Sequence, residues 1–388
     1  MCSKKARVHF ISKAAKPVLE IVEPTGKIRH VPFESAGPGR DVGETAWIAA
    51  PTLPNAEWQF RIVFGSRRSW PTGRNFYTTR LEQLWVQDGQ IFDYQPTARV
   101  SSSRVVKVPD FVGRLPTRAL YIYLPRGYKE HTERHYPVLY MHDGQNCFEA
   151  FAADSFVGSW HADEVADRLI SQGLMQECII VGISNGGTER MAEYLPLYSI
   201  YQPLPAEPPA DDAHQTEIVP PKPILGKANL TLAYYQQEVE PFLARHYRIK
   251  AGRVHRATCG SSMGGLFSIY IAWEQPDFAR QHAALSPSFW ITRNQQGKFE
   301  TIERLRTGSR RDIRLWLDSG TQSSPGEGDD GMLETIAARD ALLANGYQEG
   351  ENFQYYLAEG ALHNEAAWTK RLPQVFQFLF PLELKSQE

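Results

Sequence analysis

The sequence predicts an α/β protein: a mostly parallel sheet covered by helices on both faces, preceded by a small all-β sandwich. Three observations carry this. Residues 1–97 hold short β-type runs separated by turn residues, with many aromatics and no long helical period. After residue 101, short apolar strands alternate with helical runs. Between one such strand and the helix after it stands an abrupt turn, Gly260-Ser261-Ser262-Met263-Gly264-Gly265.

In chain order, "VLEIVEP", "TAWIAAP", "EWQFRIVFG" and "FYTTRLEQLWVQDGQIFDY" read as strands of a small antiparallel sandwich over 1–97. "GPGRDVG" at 37–43 is a plain loop, because its third glycine falls one place late for a phosphate loop and no helix follows. "PTARVSSSR" (96–104) reads as a linker, and 104–388 as the second domain. There "PTRALYIYLPRGY" and "YPVLYMHDGQ" are strands, "GSWHADEVADRLISQGLM" a helix and "ECIIVGISNG" a fully apolar strand. "TLAYYQQEVEPFLARHY" is helical except at Pro241, "RVHRATCG" is a strand, and "GLFSIYIAWEQ" is a helix that stops before Pro276. "HAALSPSFW", "DIRLWLDSG" and "FQYYLAEG" are further strands, with the helix "MLETIAARDALLANG" between the last two. Residues 201–229 hold seven prolines and almost no periodicity, the composition of a partly ordered flap near a site.

Composition limits the function. The chain has 388 residues, room for two domains, with 42% apolar and 22% charged residues and a formal net charge of −2. No basic block points to nucleic acid or an anionic membrane, and no segment reaches the length of a membrane-spanning helix. The start, "MCSKKARVHFISKAAKP", lacks an apolar core of signal-peptide length. Cys2, Cys147, Cys178 and Cys259 lie far apart with no CxxC pair, which argues against a zinc site or a disulfide framework and for reduced thiols in a cytoplasmic protein. No metal or cofactor is expected.

Gly260-Ser261-Ser262-Met263-Gly264 matches GxSxG between a strand and a helix. A nucleophile there must adopt a strained backbone so that its Oγ projects above the sheet, and small neighbours make room for the turn. Ser262 is the central residue. The Met263 N–H at the helix start is placed for a developing oxyanion. The base should follow in the chain, after the last strand. His363, in "GALHNEAAW", fits that place, whereas His282 reads as a surface or packing residue. The acid should follow "DIRLWL": Asp318, Glu327, Asp329 and Asp330 are available, with Asp329 ranked slightly ahead. The turn after "VLYMHDGQ" supplies a second oxyanion donor, the N–H of Gln145 or, less well placed, Gly144. Trp160, Arg190, Tyr194 and Trp290 are candidate pocket residues. Arg190 either binds an acyl group or pairs with Glu193.

The stretches "YPVLYMHDGQNCF", "IIVGISNGGTERMAEYLP", "GSSMGG", "LSPSFW" and "GALHNEAAW" cover most of 117–380 in family order. They resemble the putative-esterase branch of the α/β-hydrolase superfamily, which contains enterochelin (ferric-siderophore) esterases, feruloyl esterases and mycolyltransferases. The N-terminal part is similar to the β-sandwich that precedes the catalytic domain in enterochelin esterases. The resemblance implies an α/β-hydrolase fold, Ser262 as nucleophile and His363 as base. One departure stands out. Related sequences carry an acid shortly after a "GT" pair, where this chain has Ser323. Either the acid has moved along this longer loop or the site works as a Ser–His dyad. The reading is therefore a serine carboxylester hydrolase acting on a small-molecule ester of siderophore or other type. The alternatives are an acyltransferase with the same site, or a non-catalytic glycan-binding protein.

Overall fold

Continuous apolar runs force strands to be covered on both faces, and the computed structural model of the chain shows where those covers sit. It describes residues 4–13, 16–64, 68–71, 75–96, 100–203, 221–326 and 328–382. The large sheet has eight strands: β1 (Arg104–Phe111), β2 (Arg118–Leu124), β3 (Val138–His142), β4 (Ile179–Ile183), β5 (Arg256–Ser261), β6 (Gln281–Leu285), β7 (Arg314–Gly320) and β8 (Phe353–Ala358). Their order is β1-β2-β4-β3-β5-β6-β7-β8. The pairs β1–β2 and β2–β4 are antiparallel, and the pairs from β4 to β8 are all parallel.

The alternation is visible in β3. Val138 and Tyr140 enter the core on one face, and Leu139 and Met141 enter the core on the other. α1 (Ala162–Ser171) and α4 (Glu365–Leu379) cover the second face, through Val165, Leu169, Trp368, Leu372 and Phe376. α2 (Met263–Glu274) and α3 (Met332–Ala344) cover the first, through Leu266, Phe267, Ala338 and Leu342. α2 is buried along nearly its whole length, as a helix apolar on all sides must be.

The helical run around Pro241 is continuous rather than broken. Ala228–Tyr234 passes through a π-turn, Tyr235–Val239, into Glu240–His246. The wider turn lets the chain absorb a residue with no N–H, where a regular helix would clash. Of the proposed flap, 204–220 lies outside the described residues. Its flanks pair as a short ladder, Ile200–Tyr201 with Ile224–Leu225.

The N-terminal part packs two sheets. One has the order Gln90–Phe92, Gln83–Gln87, Arg7–Ser12, Thr45–Ala49, Glu34–Pro38. The other runs Ile28–Pro32, Val18–Val22, Trp58–Phe64, Arg68–Trp70, with Tyr77–Thr79 also on Trp58–Phe64. Val8, Phe10, Leu19, Ile21, Phe60 and Ile62 fill the space between them. The sandwich is not wholly antiparallel: Arg7–Ser12 and Gln83–Gln87 pair in parallel. The first strand closes the sheet against one far along the chain, an arrangement no local turn signal encodes.

No helix among the described residues is long and apolar enough to cross a membrane. Cys147, Cys178 and Cys259 are buried free thiols, and burial raises all three thiol pKa values; Cys2 lies outside the described residues.

Candidate active site

The parallel strands all end at one edge of the sheet, and the loops there meet. β5 delivers Ser262 to that edge with φ 55° and ψ −122°, a conformation that costs a non-glycine residue roughly 1–3 kcal/mol. Long-range bonds hold it. The Ser262 N–H donates to the Leu285 carbonyl at 3.0 Å, and the Ser288 N–H donates to the Ser262 carbonyl at 3.1 Å. Gly260 permits the approach of strand and helix: a Cβ there would stand 2.7 Å from the Gly264 backbone and from His142. The Ser262 Oγ lies 3.1 Å from the Ser288 Oγ. Met263 opens α2, whose first-turn N–H groups have no intrahelical acceptor.

His363 follows β8, just before α4, and its Nδ1 is hydrogen-bonded to the Asp330 carboxylate. Asp330, not Asp329, is therefore the acid that meets the histidine. Asp329 accepts the Met332 N–H at 2.9 Å and serves the start of α3. Asp318 is fully buried at the end of β7, bonded by the Trp316 Nε1 at 2.8 Å and paired with Arg371 at 3.5 Å. Burial pushes its carboxyl up to about 6, against the opposing pull of Arg371. Glu327 lies outside the described residues.

Asp330 is itself tightly held. Its Oδ2 accepts the Gly320 N–H at 2.5 Å and the Ser286 hydroxyl. That hydroxyl has one proton and two lone pairs. The Trp368 Nε1 and the Arg371 Nη2, both pure donors, approach it at 3.1 Å each. With its lone pairs occupied, the Ser286 proton must point at Asp330. Ser286 sits at φ 44°, a second non-glycine residue in the left-handed region. Trp368 also presents its face edge-on to His363 (5.0 Å, 80°) and packs on Trp160. Sequence reading missed Ser286, Ser288 and Trp368, although the "SPSFW" and "HNEAAW" runs contain them.

The second oxyanion candidate sits on the turn after β3. Asp143 (φ 56°, ψ 49°) leads into the short helical turn Gly144–Asn146. Gly144 is obligatory, since a Cβ would stand 2.3 Å from the Gly182 backbone. The turn is closed by the Asn146 and Cys147 N–H groups, and the Gln145 N–H is not one of those bonds. The Gln145 side chain accepts the Asn185 N–H at 3.4 Å.

Arg190 lines the cleft, and it pairs with Asp143 rather than with Glu193. It grips Asp143 with two bonds, Nε to Oδ1 at 2.7 Å and Nη2 to Oδ2 at 2.8 Å, while Asn185 donates to Oδ1 at 2.6 Å. Burial alone would raise the Asp143 carboxyl, but the Arg190 charge and these bonds hold it below its ordinary value. Glu193 is instead bound by Arg118 in a buried two-bond pair, at 2.7 and 2.9 Å. Tyr194 is buried, and its hydroxyl accepts the Asp143 N–H at 3.1 Å, so it supports the turn rather than a ligand. Trp290 is 48% exposed, stands edge-on to Tyr201 and does not line the cleft. Trp160 does line it.

These elements enclose a cleft of about 460 Å³. Ser262, His363, Gln145 and Arg190 share its wall with Asn146, Asn185, Glu365 and Trp368, and Phe156 and Val157 stand exposed at its rim. Two buried histidines stay apart from it. His282 is a packing residue, its Nε2 donating to the Ala279 carbonyl at 3.0 Å and its Nδ1 2.8 Å from Thr258. His142 bridges Tyr235 and Ser268.

Comparison with known proteins gives the same outline. The family described as Esterase (Putative esterase) matches residues 116–379. Among solved structures, an IroE-like serine hydrolase from Shewanella oneidensis aligns at 22% identity and TM-score 0.51, covering 71% of this chain and 79% of its own. A feruloyl esterase module from Clostridium thermocellum, complexed with sinapinate, aligns at 21% and 0.50, covering 74% and 91%. The ferric enterobactin esterase of Salmonella typhimurium aligns at 16% and 0.50, covering 97% and 93%, so that the likeness extends through the N-terminal sandwich. No curated protein matches the chain by sequence.

Proposed function

From the premise that this chain belongs to the Esterase family and is a carboxylic ester hydrolase, we propose that it works through Ser262, His363 and Asp330 by way of an acyl-enzyme. The observation that carries this reading is the strained Ser262 at the strand–helix junction, sharing a cleft with a histidine whose far nitrogen is bonded to a buried carboxylate. Ser262 Oγ attacks the ester carbonyl while His363 Nε2 takes its proton. Asp330 fixes the tautomer with Nδ1 protonated and stabilises the imidazolium. The N–H groups of Met263 and Gln145 receive the oxyanion. His363 then protonates the leaving alkoxide, and a water activated by the same residue releases the acid.

Hydrolysis is favoured over acyl transfer to an alcohol because the wall carries Asn146, Asn185, Arg190 and Glu365, groups that keep water at the acyl-enzyme. A small-molecule ester, siderophore-type or other, is the substrate class of this reading, and a cytoplasmic setting agrees with the buried free thiols. The test is an ester panel on wild type and Ser262→Ala, beside labelling with a serine-reactive phosphonate. Hydrolysis lost in the variant, with the label on Ser262, supports the assignment. Hydrolysis persisting in Ser262→Ala sinks it.

A further inference from the structure

The charges on the cleft wall do not balance. Asp143 is matched by the two bonds from Arg190. Arg190 is the sole Arg or Lys lining the cleft among the described residues, and its Nε and Nη2 are bonded to Asp143. Glu365 is left over. It lines the same cleft at the start of α4, half-buried, and no Lys, Arg or His stands within ion-pair distance of it among the described residues. Burial, with Asp143 nearby, raises its carboxyl against the pull of its own N–H, His363 and Arg190.

We infer that Glu365 sets the charge of the accepted substrate: the cleft takes esters with neutral or cationic groups beside the scissile bond and turns away anionic ones. The inference deepens the ester-hydrolase reading and rests on the Ser262 site. Its physical basis is direct. A substrate entering the cleft displaces water from around a carboxylate, so the carboxylate's interaction with a substrate charge is screened less than in bulk solvent. A hydroxyl or an ammonium group satisfies it, whereas an anion leaves it desolvated and repelled. Gln145, Asn146 and Asn185 on the same wall offer further neutral hydrogen-bonding groups. The helix start alone would explain an acid at position 365; its place on the wall beside His363 and its lack of a cation are what extend it to substrate.

The test uses three acetate esters of similar shape: those of choline (cationic), 3,3-dimethylbutanol (neutral) and isethionate (anionic). kcat/KM is measured for each on the full-length wild type, Glu365→Gln and Glu365→Lys at pH 8 and low salt. Reading the result as a ratio between substrates cancels any general loss of activity or folded fraction. The wild type should favour the choline over the isethionate ester by about tenfold or more, the size of one close charge contact at a partly screened site. The ratio should collapse toward one in Glu365→Gln and invert in Glu365→Lys. A wild-type ratio near one, or a ratio unmoved by Glu365→Gln, overturns the inference while the Ser262 reading stands. Hydrolysis of none of the three esters, or hydrolysis that survives in Ser262→Ala, overturns that reading and this inference with it.

Discussion

Two neighbouring aspartates separate a structural role from a chemical one. Asp329 and Asp330 are one bond apart in the loop after β7, yet one holds the start of α3 and the other holds His363. Asp330→Ala should lower kcat by ~10⁴-fold with little change in KM, the size of loss found when a triad acid is removed. Asp329→Ala should leave kcat within about threefold and cost roughly 1 kcal/mol of stability, as a lost helix-start bond does. Steady-state kinetics and urea melts on the two variants decide it; equal losses of kcat would sink the assignment of Asp330. Ser262→Ala and His363→Ala should each remove activity; Ser262→Ala should keep the melting temperature, whereas His363→Ala should lower it, because it takes one partner from the buried Asp330 carboxylate. Ser286 supplies a sharper test. Ser286→Gly relieves the φ of 44° and so should fold, but it removes the hydroxyl that must point at Asp330. A fall in kcat of about tenfold or more is expected, because one charge-assisted bond to the acid is lost. An unchanged kcat would show that the Gly320 N–H suffices.

At the scale of elements, the strands that carry the site are tied together by buried polar groups with defined proton positions. His282 on β6 gives its Nε2 proton to the Ala279 carbonyl, so its Nδ1 accepts from Thr258 on β5. Burial pushes its pKa down to about 3. The unfolded chain protonates this group near pH 6.5, so between about pH 6.5 and pH 3 the unfolded state binds the additional proton and stability falls as pH falls. At pH 5 this one group should cost about 2 kcal/mol relative to pH 7 and above. In His282→Gln the drop in unfolding free energy from pH 7 to pH 5, measured by urea titration, should shrink by that amount, whatever the absolute stability of the variant. A drop as steep as in wild type would show that other groups, His142 among them, govern the acid limb. The π-turn before Pro241 is a second element-level adaptation. It lets one helix keep Tyr234 and Tyr235 in the core while carrying a residue that cannot donate.

Across the whole molecule, buried and half-buried arginines staple the sandwich to the hydrolase sheet, Arg126 at the centre and Arg134 beside it, paired with Asp93 at 3.7 Å and lying 4.1 Å from the Tyr94 ring centroid. Arg126, directly after β2, is buried; it binds Gln90 at 2.7 Å, the Ile91 carbonyl, and the Ile170 carbonyl at 3.2 Å, and it lies 3.9 Å from the Phe92 ring centroid. The same guanidinium faces the buried Glu177 at 3.4 Å, and Thr79 adds a bond to the Gly173 carbonyl at 3.1 Å. Arg126→Ala should destabilise the protein by roughly 3–5 kcal/mol, because it weakens the pairing of a buried carboxylate. Arg126→Lys should recover little, since a point charge cannot reproduce the planar fork over Phe92. Urea unfolding followed by tryptophan fluorescence tests both, and a loss under about 1 kcal/mol in Arg126→Ala would show that the apolar contact alone joins the two parts.

The sequence alone determined the features whose causes are local. Strand and helix periods, the Gly260–Gly265 elbow around Ser262, the turn at Asp143-Gly144 and the placement of His363 between β8 and α4 all depend on residues within a few positions of each other. What only the tertiary structure decided is which distant groups meet. Asp330 and not Asp329 reaches His363, Arg190 reaches Asp143 rather than Glu193, and Trp290 stands away from the cleft while Trp368 stands in it. The parallel pairing of Arg7–Ser12 with Gln83–Gln87 is of the same kind. Each of these joins segments whose separation in the chain gives no geometric signal. The convergence of loops at the strand ends, and the cost of leaving a fully buried charge unpaired there, set them.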